Sequence, residues 1–231
     1  MLREWKDIPD FMRCDEVREY YEVLSKKKNS LRIKRCFDVT AAVILLIIFA
    51  LPMLVIAILI KADSKGPVFY RQERITAYGR IFRIHKFRTM VDNADRIGTA
   101  VTVGNDVRIT GIGRFLRKYR IDEIPQLIDV LEGNMSFVGT RPEALKYVKK
   151  YTKEMYATLL LPAGITSEAS IHFKDEAGLL KDAYNVDEVY INKILPRKMK
   201  YNLASIKKFS LLKDLITMIS TVSAVLDKEN G

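Results

Sequence analysis

The stretch RIDEIPQL, Arg120 to Leu127, places two carboxylates side by side, Asp122 and Glu123. Adjacent carboxylates can hold a hard cation such as Mg²⁺, and an aspartate can attack phosphorus directly. The surroundings in sequence are cationic. Arg108, Arg114, Arg117, Arg120 and Arg141 lie within a short span, and Lys86 and Arg88 lie upstream. Guanidinium groups match phosphate oxygens bidentately, so a carboxylate pair among arginines suits phosphoryl transfer. The plainer reading is structural: Asp122 caps a helix, Pro125 sits in its first turn, and Ile124, Leu127, Ile128 and Leu131 follow at helical spacing before Gly133. A helix N-terminus there would itself favour a phosphoryl group.

Several other chemistries lack raw material. The chain has 231 residues, of which only His85 and His172 are histidine and only Cys14 and Cys36 are cysteine. A zinc centre, a histidine-based triad and a disulfide framework are all disfavoured. No phosphate-cradling GxxxxGK[ST] loop occurs, and the GIG at Gly111–Gly113 lacks the third glycine of a dinucleotide fingerprint. The net charge of +11 favours anionic partners: phospholipid, nucleic acid or phosphorylated small molecules. No RNA- or DNA-binding motif accompanies it, so nucleic acid is not expected.

The elements that must position the pair begin with VTAAVILLIIFALPMLVIAILI, Val39 to Ile60, 22 residues without a charge. About 20 suffice to span hydrocarbon. Pro52 sits near the middle, and basic residues flank both ends: Lys26, Lys27, Lys28, Arg32, Lys34 and Arg35 before, Lys61, Lys65, Arg71 and Arg74 after. The positive-inside bias therefore selects no direction. A crossing helix kinked at Pro52 and a helix that bends there and returns to the same face fit equally.

Residues 1–30 read as a polar, peripheral arm with a helix over Asp15–Ser25. Val68–Glu73 and Ile81–Met90 flank TAYGR and read as a β-hairpin. His85, next to Lys86, reads as a strand surface residue rather than a base. Asn93–Asp106 reads as a loop with Gly98 and Gly104, and Ile112–Tyr119 as a short basic helix. The chain after Gly139 reads as mostly helical to Tyr156, and Leu161–Ser170 as a loop. Ser210–Leu226 carries an apolar stripe beside a strongly basic segment. It suits either core packing or an anionic membrane face.

The run NDVRITGIGRFLRKYRIDEIPQLIDVLEGNMSFVGTRPE from Asn105, together with KFRTM (Lys86–Met90) and KRCFD (Lys34–Asp38), resembles the bacterial sugar transferases, monotopic phosphoglycosyl transferases that initiate surface glycan assembly. The likeness covers roughly Leu31 to Leu226. It implies transfer of a phospho-sugar from a UDP-sugar to polyprenyl (undecaprenyl) phosphate, with release of UMP. It also implies a covalent phospho-sugar on Asp122, Glu123 as second carboxylate, and Mg²⁺ at Asp122 and Glu123. Arg117 matches a phosphate-contacting arginine and Arg141-Pro142 the nucleotide-side motif. A re-entrant helix broken at Pro52 then takes precedence over a crossing one. Three departures are visible: Ala50-Leu51-Pro52 replaces Ser-Pro, Thr140-Arg141-Pro142 replaces Pro-Arg-Pro, and LPAGITS (Leu161–Ser167) replaces a run beginning with arginine.

The expected fold is α+β, mainly helical with a small β-hairpin. A polar arm (1–30), a re-entrant membrane helix (31–62) and a catalytic domain (63–231) would lie on the cytoplasmic face of a bacterial inner membrane, with amphipathic interfacial helices. The expected substrate-binding residues are Lys86, Arg88, Arg108, Arg114, Arg117, Arg141 and Pro142. Membrane lipids are expected partners, and a homodimer is left open. The competing reading is a membrane-anchored basic module that binds nucleotide or lipid head groups without catalysis.

Overall fold

A computed structural model describes residues 2–94, 106–174, 176–180 and 184–226. Most of the expected Asn93–Asp106 loop, with Gly98 and Gly104, lies outside the described residues. Helices dominate: α1 (Asp15–Ser25), α2 (Lys28–Asp63), α3 (Gly111–Lys118), α4 (Gln126–Leu131), α5 (Leu145–Val148), α6 (Glu168–His172), α7 (Glu176–Leu179), α8 (Val186–Val189), α9 (Leu195–Lys207) and α10 (Leu211–Leu226). Two two-stranded sheets join them. β1 (Phe69–Ile75) and β2 (Ile81–Phe87) form an antiparallel hairpin in the register Phe69 opposite Phe87 and Ile75 opposite Ile81. β3 (Met135–Val138) and β4 (Ala163–Thr166) pair in parallel.

The hairpin, the basic helix at α3 and the helix at α10 agree with the sequence reading. Five expectations do not. The first thirty residues are not peripheral: Val17, Tyr20 and Leu24 recur at helical spacing on α1 and are buried, with Ile8 and Met12, against Leu195 and Met199 of α9. Leu161–Ser170 is not a loop but contains β4 and the start of α6. The stretch from Gly139 to Tyr156 is helical only over Leu145–Val148 and in a tight turn beginning at Glu154. Asp122 is not a helix cap: it lies in a 3₁₀ turn over Ile121–Glu123, and α4 starts only after Pro125. Pro52 does not end the long helix, because α2 runs through it from Lys28 to Asp63.

α2 serves the fold through its two ends. Near its start, Lys34 pairs with Asp214 of α10 at 2.6 Å, and Arg35 donates to the Val130 and Leu131 carbonyls that close α4. Asp38 accepts from the Phe137 N–H at 3.4 Å, and Ala42 packs with Phe82, Ile84 and Val130. Near its end, Ile60 packs on Phe87 and Leu116, and Asp63 accepts from the Ile112 N–H at 3.1 Å. Between these ends one face stays in contact with the body through Leu45, Leu46, Phe49, Met53 and Ile56, while the other is bare: Ile47, Leu51 and Ile58 are 73%, 69% and 60% exposed. It is long and apolar enough to cross a membrane.

Two glycines are fixed by close approach. At Gly113 a Cβ would meet the Thr89 carbonyl oxygen at 2.1 Å, which lets α3 lie against the chain leaving β2. At Gly164 it would meet the Gly139 backbone at 2.2 Å, which lets the chain leaving β3 press on β4. Overpacking of a tight interior costs about 1–3 kcal/mol. Gly164→Ala is therefore expected to lower the thermal unfolding midpoint in detergent micelles by several degrees, whereas Gly133→Ala, whose Cβ would meet only the end of Arg35, tests the positive φ of 77° alone.

Candidate active site

Glu123 is a carboxylate paired with two cationic side chains. Its Oε1 accepts from the Lys86 ammonium at 2.8 Å and from Arg141 Nη2, and its Oε2 accepts from Arg141 Nη1 at 3.2 Å. The side chain is only 10% exposed. Burial alone would push its carboxyl up, but Arg141 and then Lys86 outweigh burial and hold it well below the usual glutamate value. Reciprocally, the Glu123 charge raises the Arg141 guanidinium above its ordinary value. Lys86 is lowered, because burial exceeds the attraction of Glu123.

Asp122 is different. No hydrogen bond or ion pair fixes its carboxylate among the described residues, and it faces a cavity of about 1140 Å³. Burial raises its carboxyl above the usual aspartate value; Lys86 opposes this, neighbouring Glu123 adds to it, and Arg117 and Arg141 oppose it. The two carboxylates are thus driven apart: one is locked and ionised, the other is open and the more basic.

Local structure explains the division. Arg120 adopts a left-handed conformation (φ 56°), which turns the chain sharply after α3 and starts the 3₁₀ turn. Such a conformation costs a non-glycine residue on the order of 1 kcal/mol. Both carboxylates border the cavity, but Glu123 is tied to Lys86 of β2 and to Arg141, whereas no such contact holds Asp122 among the described residues. The favourable charge comes from Lys86, Arg117 and Arg141 and not from a helix dipole, because α4 has six residues and begins after Pro125.

β2 is pinned to α4 by a buried pair. Asp129, fully buried, accepts from the His85 N–H at 2.8 Å and lies 2.9 Å from His85 Nδ1. His85 is therefore no surface residue. It ties the strand that carries Lys86 to the helix that follows the carboxylates. The sequence hid this because a lone histidine in a strand carries no partner signal.

The other expected residues are distributed as follows. Arg117 lines the cavity beside Asp122. Arg88 and Arg108 also line it, but Arg88 caps the end of α2 through Lys65, Ser64 and Ile60 carbonyls, and Arg108 forks onto Asp106. Arg114 is exposed on α3 and Pro142 is buried, and neither borders the cavity. Pro52 lies on the bare part of α2.

The cavity has a second wall that the sequence did not reveal. Leu45 and Phe49 of α2, Ile165 of β4, and Thr221 and Val222 of α10 face it. α10 leaves Leu212, Leu215, Ile216 and Ile219 exposed, so an apolar surface is continuous with one side of a cavity whose other side is cationic. Parallel β3–β4 pairing places Ile165 there, and that long-range pairing has no local signature.

Comparison with known proteins bears on this arrangement. A relative in Aeromonas hydrophila, a UDP-N-acetylgalactosamine-undecaprenyl-phosphate N-acetylgalactosaminephosphotransferase, is 37% identical over 198 residues, covering 84% of this chain and 44% of the relative. A UDP-glucose:undecaprenyl-phosphate glucose-1-phosphate transferase of Caulobacter vibrioides is 34% identical over 201 residues, 86% of this chain and 71% of that one. An uncharacterized sugar transferase of Bacillus subtilis, EpsL, is 36% identical over 160 residues, 69% and 78% respectively. The chain thus spans less than half of the Aeromonas protein. The family model for bacterial sugar transferases matches residues 29–228, which run from the start of α2 beyond the end of α10, so the chain belongs to the bacterial sugar transferase family.

Proposed function

We propose that this chain transfers a phospho-sugar from a UDP-sugar to a polyprenyl phosphate, with Asp122 as nucleophile. The observation that carries the reading is an Asp122 carboxylate without a hydrogen-bond or ion-pair partner among the described residues, facing a cavity that is cationic on one side and apolar on the other. The named relatives with undecaprenyl-phosphate transferase activity support the same reaction class.

In the first step an Asp122 oxygen bonds to the sugar-bearing phosphorus as the bond to UMP breaks, and UMP leaves with that electron pair. In the second step a phosphate oxygen of the polyprenyl phosphate attacks the same phosphorus. This releases the carboxylate and yields a polyprenyl diphosphate sugar. Dividing the transfer lets a water-borne donor and a lipid acceptor use one site in turn. Arg117 and Arg141 neutralise phosphoryl charge, the main catalytic requirement of such a displacement. Glu123 holds Lys86 and Arg141 in place. The donor set suits Mg²⁺: the Asp122 oxygens have open lone pairs, while Glu123 can contribute only where its contacts with Lys86 and Arg141 leave room. When bound there with the donor's phosphates, the ion supplies further charge neutralisation.

The docking of both α2 ends on one domain supports a re-entrant helix. Lys34, Asp38, Ile60 and Asp63 all bind the body that carries the carboxylates, so both ends of the exposed apolar face stay on the side of that body. That body then faces the cytoplasm, where nucleotide sugars are found.

Three outcomes test the reading. Wild-type protein given a UDP-sugar without lipid acceptor is expected to gain the mass of a phospho-sugar, and Asp122→Asn to gain none while losing at least about a thousandfold in turnover; equal turnover in the variant would refute the assignment. Because Asp122 must be ionised to attack and its pKa is raised, the rate should fall with acidification at a pH above that of an ordinary aspartate. Lys86→Met, which removes a charge that lowers this pKa, should move the acid limb further up. In a background lacking Cys14 and Cys36, cysteines at Asn29 and Lys65 should react with an impermeant reagent from the same side of sealed vesicles. Labelling from opposite sides would show a crossing helix.

A further inference from the structure

We propose a second anion site, for a phosphate group, on the face formed by Arg3, Arg35 and Arg80. These three guanidinium groups line a cavity of about 280 Å³, with Tyr78, Gly133 and Pro162 completing most of its wall. It shares no lining residue with the cavity at Asp122, so the proposal does not depend on the transferase reading.

The charge balance is one-sided. No carboxylate lines this cavity, and none of the three arginines takes part in an ion pair among the described residues. Arg35 donates to the Val130 carbonyl at 2.6 Å and the Leu131 carbonyl at 3.0 Å, and Arg80 donates to the Gly133 carbonyl at 3.4 Å. These carbonyls are neutral groups that carry only partial negative charge, against three whole positive ones. Each guanidinium has five N–H donors, so donors remain for an anion.

The site is also built at a cost. The turn of the β1–β2 hairpin puts Tyr78 at φ 60°, a left-handed conformation that an aromatic residue seldom adopts, with Gly79 following at φ 74°. The turn is held there by the N-terminal segment. Phe11 occupies the space a Cβ at Gly79 would need, approaching it to 2.7 Å, and the Arg3 N–H donates to the Tyr78 hydroxyl at 2.8 Å. The Arg3 guanidinium stacks 4.4 Å from the Tyr78 ring. The strained turn and the segment packed on it together bring Arg3 to Arg35 and Arg80.

The position limits the source of the phosphate. Arg35 lies four residues before Val39, and on the same helix Ile33 and Phe37 are 57% and 41% exposed. A phosphate reaching the site is either the head group of an anionic lipid or a soluble phosphate. The test uses the full chain in detergent micelles, with Arg3→Gln/Arg80→Gln, which spares the Arg35 cap of α4, and a control of equal charge change, Lys149→Gln/Lys150→Gln. Loss of charge-assisted hydrogen bonds predicts at least about tenfold weaker retention of phosphatidylglycerol in the first variant and not in the control, read by native mass spectrometry, with phosphatidylcholine unaffected. A soluble source predicts instead that inorganic phosphate slows phenylglyoxal modification of Arg3 and Arg80 in the wild-type protein, relative to exposed Arg18. Unchanged phosphatidylglycerol retention together with no protection by phosphate would overturn the proposal.

Discussion

The paired charges of Glu123, Lys86 and Arg141 are the constraint around which the site is organised. A buried carboxylate or ammonium is costly unless it is matched, and removing one member would leave the others uncompensated. The three groups come from distant places: the 3₁₀ turn after α3, strand β2, and the segment leaving β3. Their mutual satisfaction therefore fixes three backbones against one another. Asp122 gains from this without taking part. The positive charge it faces is already ordered by Glu123 and by burial.

Supporting layers repeat the same logic with weaker contacts. His85 and Asp129 join β2 to α4 behind the carboxylates. Glu143, two residues past Arg141, accepts from Tyr190 at 2.6 Å and lies 3.3 Å from Lys198, tying that segment to α9. The first residues of the chain add the greasy backing for α9, where α1 buries Tyr20 and Tyr21 in one cluster with Leu195, Met199 and Leu31 at the start of α2.

Much of this was legible in the sequence wherever the signal was local. The 22 uncharged residues, the β-formers flanking TAYGR, and the stripe on α10 each carry a period or a length that physics ties to one element. The carboxylate pair and its arginines were visible by residue type. What escaped depended on partners far away in the chain. The parallel β3–β4 pair rests on two glycines that allow backbones to touch, and Leu161–Ser170 looks like a loop without it. Asp122 was mistaken for a cap because Arg120 takes a left-handed turn that no residue preference announces. Arg88 lines the cavity as its residue type suggests, and its Nη donors also close the end of α2, a role that no local signal shows.

That closure ties two scales of the molecule together. Arg88 grips the last turn of α2 and lies two residues after Lys86, the partner of Glu123. The long helix is consequently coupled to the site. The end of α2 and the ammonium that pairs with Glu123 are joined through the short run Lys86–Arg88, so a shift of that helix end is passed directly to the strand beside the two carboxylates.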